Sequence, residues 1–174
     1  MRTFYRLADL LDSIPYALIA LFLRIVVARP FFISGQTKVE GPIVGREVFG
    51  VDLSMTLPTS LRDAAVDLFA DEYKLPLISP EHAAYLTAGL EFLLPVLLVL
   101  GLMTRLSALG LLMITMVIQL FVYPDAWWSA HAYWVGLLLV LIARGAGGIS
   151  LDSLVVSRVS SRIGVLPNAN RLLG

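Results

Sequence analysis

The residue from which chemistry can be argued is Glu91. It stands inside AAYLTAGLEFLLPVLLVLGLMTR, residues 83–105, an apolar run long enough to cross a bilayer. A carboxylate at that depth costs on the order of 3 kcal/mol on insertion scales, and more if unpaired, so another group must answer it. Counted at ~1.5 Å per residue, Arg24 in the first apolar run reaches nearly the same depth, and a buried Arg24–Glu91 pair is the natural expectation. On the same count Arg29, Thr87 and Gln119 fall roughly 7 Å below the outer boundary. Lys38, His82 and His131 sit at or beyond that boundary. Polar groups therefore descend from the outer face to mid-membrane, and the inner half is nearly bare. Such asymmetry fits a cavity open to one side, with Arg24, Arg29, Lys38, Thr87, Glu91, Gln119 and His131 as its candidate ligand-binding residues. Two other readings stay open. The same groups could form a salt bridge and hydrogen bonds that fix helix order, or a proton path.

The remaining candidates favour packing. His82 and His131 are the only histidines, both at outer span ends, where interfacial side chains are the simpler reading than a shared metal or haem. Met113 and Met116 fill gaps on an apolar helix. Gly101, Gly110, Gly145, Gly147 and Gly148 allow close helix contact or sharp turns, and the last group has no Lys-Ser/Thr after it to make a phosphate loop. No metal site and no intrinsic cofactor is expected, and the sequence names no catalytic residue.

Composition narrows the class. The chain has 174 residues, 58% of them apolar, and a formal net charge of zero. This is a membrane protein, with no sign of nucleic acid as a partner. The absence of cysteine excludes dithiol chemistry, thiolate metal sites, iron–sulfur clusters and covalently attached haem within this chain. The first apolar run carries Arg24 and Arg29 and lacks a small-x-small cleavage site, so it reads as a retained span.

The elements follow from the apolar runs. Residues 1–14 suggest a surface-lying helix from Phe4, Leu7, Leu10 and Leu11. Spans are expected at about 15–34, 83–103, 106–123 and 131–147, the fourth being the shortest. Pro15 opens the first, and Pro30 is expected to kink it. A tight turn at 103–106 makes spans two and three antiparallel neighbours. The polar loop 35–80 is broken by glycines and carries a short amphipathic helix from Leu57 to Tyr73, with Pro58 at its start. That helix reads as lying on the bilayer or, more sharply, as a lid. Tyr123, Trp127, Trp128, Tyr133 and Trp134 form an aromatic belt around the loop 124–130. The tail 151–174 contains an amphipathic surface helix with Arg158 and Arg162. Arg2, Arg6, Arg105, Arg144, Arg158, Arg162 and Arg171 lie at the termini and the 103–106 turn. The positive-inside rule then puts both termini in the cytoplasm and the loop 35–80 in the periplasm. The fold class is thus all-α, a single polytopic four-helix bundle, N-in/C-in, spanning residues 1–174.

These pieces resemble the DoxX family of small four-span bacterial membrane proteins. The resemblance rests on Arg24, Ser34-Gly35-x-x-Lys38, Glu91, LGLMTRLSALGLL (100–112), His131 and GAGGISLD (145–152), in that order and spacing. It implies a four-helix bundle in the cytoplasmic membrane, linked to respiratory, sulfur or oxidative-stress redox systems. The segments 75–102 and 119–127 are similar to members associated with small metal-binding secreted peptides and their maturation. Two functions are carried forward. One is an accessory subunit binding a quinone, or a similar lipid-soluble molecule, in a pocket open to the periplasm, with a partner carrying the redox centre. The other is a scaffold whose acidic loop docks a secreted or membrane partner, possible metal-stress work included. Transport is a third reading, opposed by the bare inner half. The short fourth span and its Gly-rich exit leave room for self-association.

Overall fold

Pro15, in extended geometry at φ −64° and ψ 127°, sets the start of the first membrane helix. The computed structural model describes residues 13–48, 51–52 and 54–163. The expected N-terminal helix and the last residues of the tail, Arg171 included, lie outside the described residues.

Helix α1, Tyr16–Lys38, runs through Pro30 and continues four residues past the expected end at 34. Short strands follow: β1 Val39–Glu40, β2 Ile43–Val44, β3 Glu47–Val48, β4 Val51–Asp52, β5 Met55–Thr56 and β6 Ser60–Leu61. They pair antiparallel as β1–β6, β2–β5 and β3–β4, a nested ladder that projects from the end of α1. This corrects the helix expected from Leu57. Residues 57–62 are held to the other arm, where the Leu57 N–H bonds the Pro42 carbonyl at 3.0 Å and the Arg62 N–H bonds the Lys38 carbonyl at 3.0 Å. Those bonds satisfy the backbone before a helix can, and α2 is confined to Asp63–Leu68. A π-helical turn, Phe69–Tyr73, ends at Lys74 in the left-handed conformation. Ala65 and Phe69 turn inward, and Phe69 packs with Ala83 and Ala84 at the start of the next span.

Helix α3 is Pro80–Leu100 and α4 is Thr104–Phe121. The Gly101 and Leu102 N–H groups fold back on the Leu98 and Leu97 carbonyls at 3.0 and 2.9 Å, a glycine stop at φ +69°. The aromatic stretch after α4 is not a loop. A 3₁₀ turn, Pro124–Ala126, and a π-helical turn, Trp127–His131, lead directly into α5, Ala132–Arg144. The fourth apolar helical run therefore spans 21 residues, Pro124–Arg144, and the third, with 18, is the shortest. Helix α6 covers Leu151–Ile163.

Among the described residues four helical runs, Tyr16–Lys38, Pro80–Leu100, Thr104–Phe121 and Pro124–Arg144, are long and apolar enough to cross a membrane. They pack as a ring, α1 against α3, α3 against α4, α4 against α5 and α5 against α1. The core is Val27, Phe31, Leu98, Leu111, Leu138 and Leu141. Large apolar side chains such as Phe22, Leu106 and Leu120 face outward. That pattern would be costly in water and is the ordinary one in lipid. Trp134 leaves the expected belt, its ring tilted against Phe31 with centroids 5.2 Å apart, while Tyr123, Trp128 and Tyr133 remain exposed.

Candidate functional site

Two buried cations sit at opposite ends of the bundle, and each is answered differently. Arg24 is fully buried beside the end of α3. Its Nη1 donates to the carbonyls of Val99 at 3.0 Å and Leu98 at 3.5 Å, its Nη2 to Ile149 at 2.5 Å and its Nε to Ala20 at 3.3 Å. The last carbonyls of a helix lack intrahelical donors and carry partial negative charge, so a guanidinium satisfies both needs. Around it the Gly-rich exit closes the same end. The Asp152 carboxylate accepts the Met103 and Thr104 N–H groups at 2.8 and 3.0 Å, capping α4 across the chain. Gly147, at φ +72°, lies where a Cβ would come within 2.9 Å of the Ala17 Cα.

Lys38 lies at the other end, and it is the partner of Glu91. Its Nζ meets Glu91 Oε2 at 2.7 Å, and both side chains are almost fully buried. The same ammonium donates to the Ser34 carbonyl at 3.2 Å and to Ser34 Oγ at 2.8 Å. Two features bring the pair together. A helical side chain leans toward the helix N-terminus, so Lys38 reaches back from the end of α1 toward mid-bundle. Gly35 lets α3 approach, since a Cβ there would be 3.0 Å from the Glu91 carbonyl carbon.

The pair lines a cavity of about 710 Å³ whose other walls are nearly all apolar. Exposed Leu86 on α3 and Leu106, Leu109 and Met113 on α4 form its rim, so it opens sideways between those helices, toward lipid. Phe69, Tyr73 and residues 75–78 line its end nearest α2, the covered end. Thr87, Trp134 and His131 also line it. His131 Nδ1 is 2.6 Å from Gln119 Oε1, and Gln119 Nε2 donates to the Pro124 carbonyl at 2.6 Å. At the covered end Tyr123 donates to Glu72 Oε1 at 2.9 Å, with the Tyr73 ring set edge-on to Tyr123 at 6.2 Å. The Glu72 carboxylate raises the Tyr123 phenol above its ordinary range, and burial raises that of Tyr73.

The profile of the DoxX family matches residues 19–124. The chain belongs to the DoxX family. An uncharacterized protein of Haemophilus influenzae is 30% identical over 152 residues, covering 78% of this chain and 82% of that protein. No solved structure matches.

Within this DoxX chain the expected site residues separate. Lys38, Thr87, Glu91 and His131 meet at one cavity, and Gln119 stands behind His131. Arg24 does not pair with Glu91. It serves the half of the bundle expected to be bare of polar groups, because α1 extends to Lys38 and shifts every depth counted from its end. Arg29 faces outward, away from the cavity. His82 is engaged by Ser79 at 2.6 Å at the exposed start of α3, on a different element from His131. Ser34 and Tyr73 join the site. The Ser34–Lys38 spacing of four residues, one helical turn, could have pointed to the first.

Proposed function

We propose that this DoxX-family chain is a subunit of the bacterial cytoplasmic membrane that holds a lipid-soluble ring molecule of the quinone class beside the Lys38–Glu91 pair. One observation carries this reading: a buried ion pair at the wall of an otherwise apolar cavity with a lipid-side rim. A pair kept only for packing gains nothing from bordering a cavity, because a buried pair seldom outdoes apolar residues of equal volume. A long-tailed molecule can enter between α3 and α4, leave its tail in lipid and present its polar head to the pair. Residues 145–152 and Arg24 hold the opposite end closed, which suits a binding subunit better than a transporter. The basic termini support placing that closed end in the cytoplasm and the hairpin in the periplasm. Electron-transfer groups would belong to a partner protein.

Solvent extraction of the purified chain tests the reading. A stoichiometric quinone-class molecule, lost in Glu91→Gln, is the expected result. Phospholipid alone in both proteins would move the weight to a structural bridge. The scaffold reading has its own support, the hairpin that carries Ile43 and Val44 outward with acidic Glu40 and Glu47. It expects removal of residues 41–59 to abolish partner capture while Glu91→Gln leaves capture intact.

A further inference from the structure

The polar lining of the cavity has a sense, and it lies in which protons are already committed. An ammonium has three donors. All three of Lys38 are taken, by Glu91 Oε2, Ser34 Oγ and the Ser34 carbonyl. The cation thus neutralises the site without offering a proton to a guest. Glu91 is acceptor-only as a carboxylate and keeps lone pairs beyond those used.

His131 is fixed by a relay. The Pro124 carbonyl accepts from Gln119 Nε2, which turns the amide oxygen toward His131. An amide oxygen only accepts, so Nδ1 carries the imidazole proton and Nε2 the lone pair. The relay leaves Nε2 uncommitted, with its lone pair on the side of the ring away from Gln119. Of the other polar groups on the lining, the Thr87 and Tyr73 hydroxyls can donate or accept, the Tyr123 hydroxyl has its proton committed to Glu72, and the Trp134 indole can only donate.

We propose that the cavity selects the hydroxyl-bearing, reduced form of its ring ligand, a quinol or phenol, with Glu91 and His131 Nε2 as the accepting atoms. This rests on the ring-binding reading above and adds a direction to it. A carbonyl oxygen can only accept, so a quinone leaves Glu91 and Nε2 unanswered in a dry site. A hydroxyl donates to either acceptor and still accepts from Thr87 or Trp134. Gln119 acts here as a positioning residue, since it touches no ligand and sets the tautomer of one that does.

The test is anaerobic calorimetric titration of the full chain in detergent with a short-tailed 1,4-benzoquinol and with the matching quinone. The quinol should bind at least about tenfold tighter, the scale of one hydrogen bond to a buried acceptor. Gln119→Leu should cut that ratio to about threefold or less by releasing the tautomer, and His131→Phe should do the same. The ratio is internal to each protein, so a change in stability alone does not move it. Quinone binding as tight as quinol binding would overturn the proposal and leave ring binding in place. Failure of both molecules to bind would overturn both.

Discussion

Arg24 and Lys38 are both cations buried in one bundle, some fourteen positions apart on one helix, and they differ in every other respect. Arg24 meets only carbonyls, among the glycines and Asp152 that close its end. Lys38 meets a carboxylate at a cavity wall. A guanidinium spreads its charge over five donors in a fixed fork and suits several carbonyls at once. An ammonium is a point charge on a flexible stem and suits one carboxylate at the end of its reach. The difference teaches that a buried charge in a membrane helix can be a clamp or a site, and that its partners decide which.

The contrast can be broken first at Lys38. Lys38→Met should destabilise by about 3–5 kcal/mol, because it strands Glu91 without its cation. Thermal unfolding in detergent checks this, and adding Glu91→Leu should recover most of the loss while ligand binding stays absent. A double variant no more stable than Lys38→Met would show that the pair is not a unit. Arg24→Leu should cost on the order of 3 kcal/mol through orphaned carbonyls. Arg24→Lys should recover part of the stability and all of the ligand affinity. A drop in affinity for Arg24→Lys at fixed protein stability would join the two ends that the structure separates.

Smaller effects sharpen the same line. Tyr123 and Tyr73 should give the covered end a pH dependence. Both phenols ionise above their ordinary range, so their contribution is complete below about pH 10 and fades as pH rises through the raised values. Proteolysis of the 69–78 segment, followed against pH, should therefore accelerate only in alkali, and Tyr73→Phe should remove most of that dependence. Arg29→Leu should leave ligand affinity unchanged within about twofold, since Arg29 faces away from the cavity. A larger change there would place the ligand elsewhere.

Much of this was legible in the sequence, and the failures share causes. Apolar length alone located four spans, and the expense of Glu91 alone demanded a partner. Depth counted from an end at 34 points to Arg24, whereas the helix runs on to Lys38. Nothing in the apolar pattern marks Ser34–Lys38 as helix, since small and polar residues there look like a turn. Side-chain length also hides from a residue count, and Lys38 reaches a full helical turn or more below its own backbone. The hairpin leaves no alternation in the sequence, because its strands are two residues each and the pattern cannot register over so short a run. The stretch PDAWWSA reads as a loop by its proline and polar residues, yet it is helical, Pro124 taking the first position where its missing N–H costs nothing. The roles of Asp152 and Ile149 depend on contacts 48 or more residues away in sequence, beyond the reach of any local pattern.

The central claim is that the Lys38 end binds and the Arg24 end clamps. It is tested most directly by thermal unfolding of three proteins, each with and without a short-tailed 1,4-benzoquinol: the unaltered chain, Arg24→Lys, and the double variant Lys38→Met with Glu91→Leu. The account predicts that the quinol raises the melting temperature of the first two alike and leaves the third unmoved, whatever their starting stabilities. A quinol shift that persists in the double variant, or one that vanishes in Arg24→Lys, would contradict it.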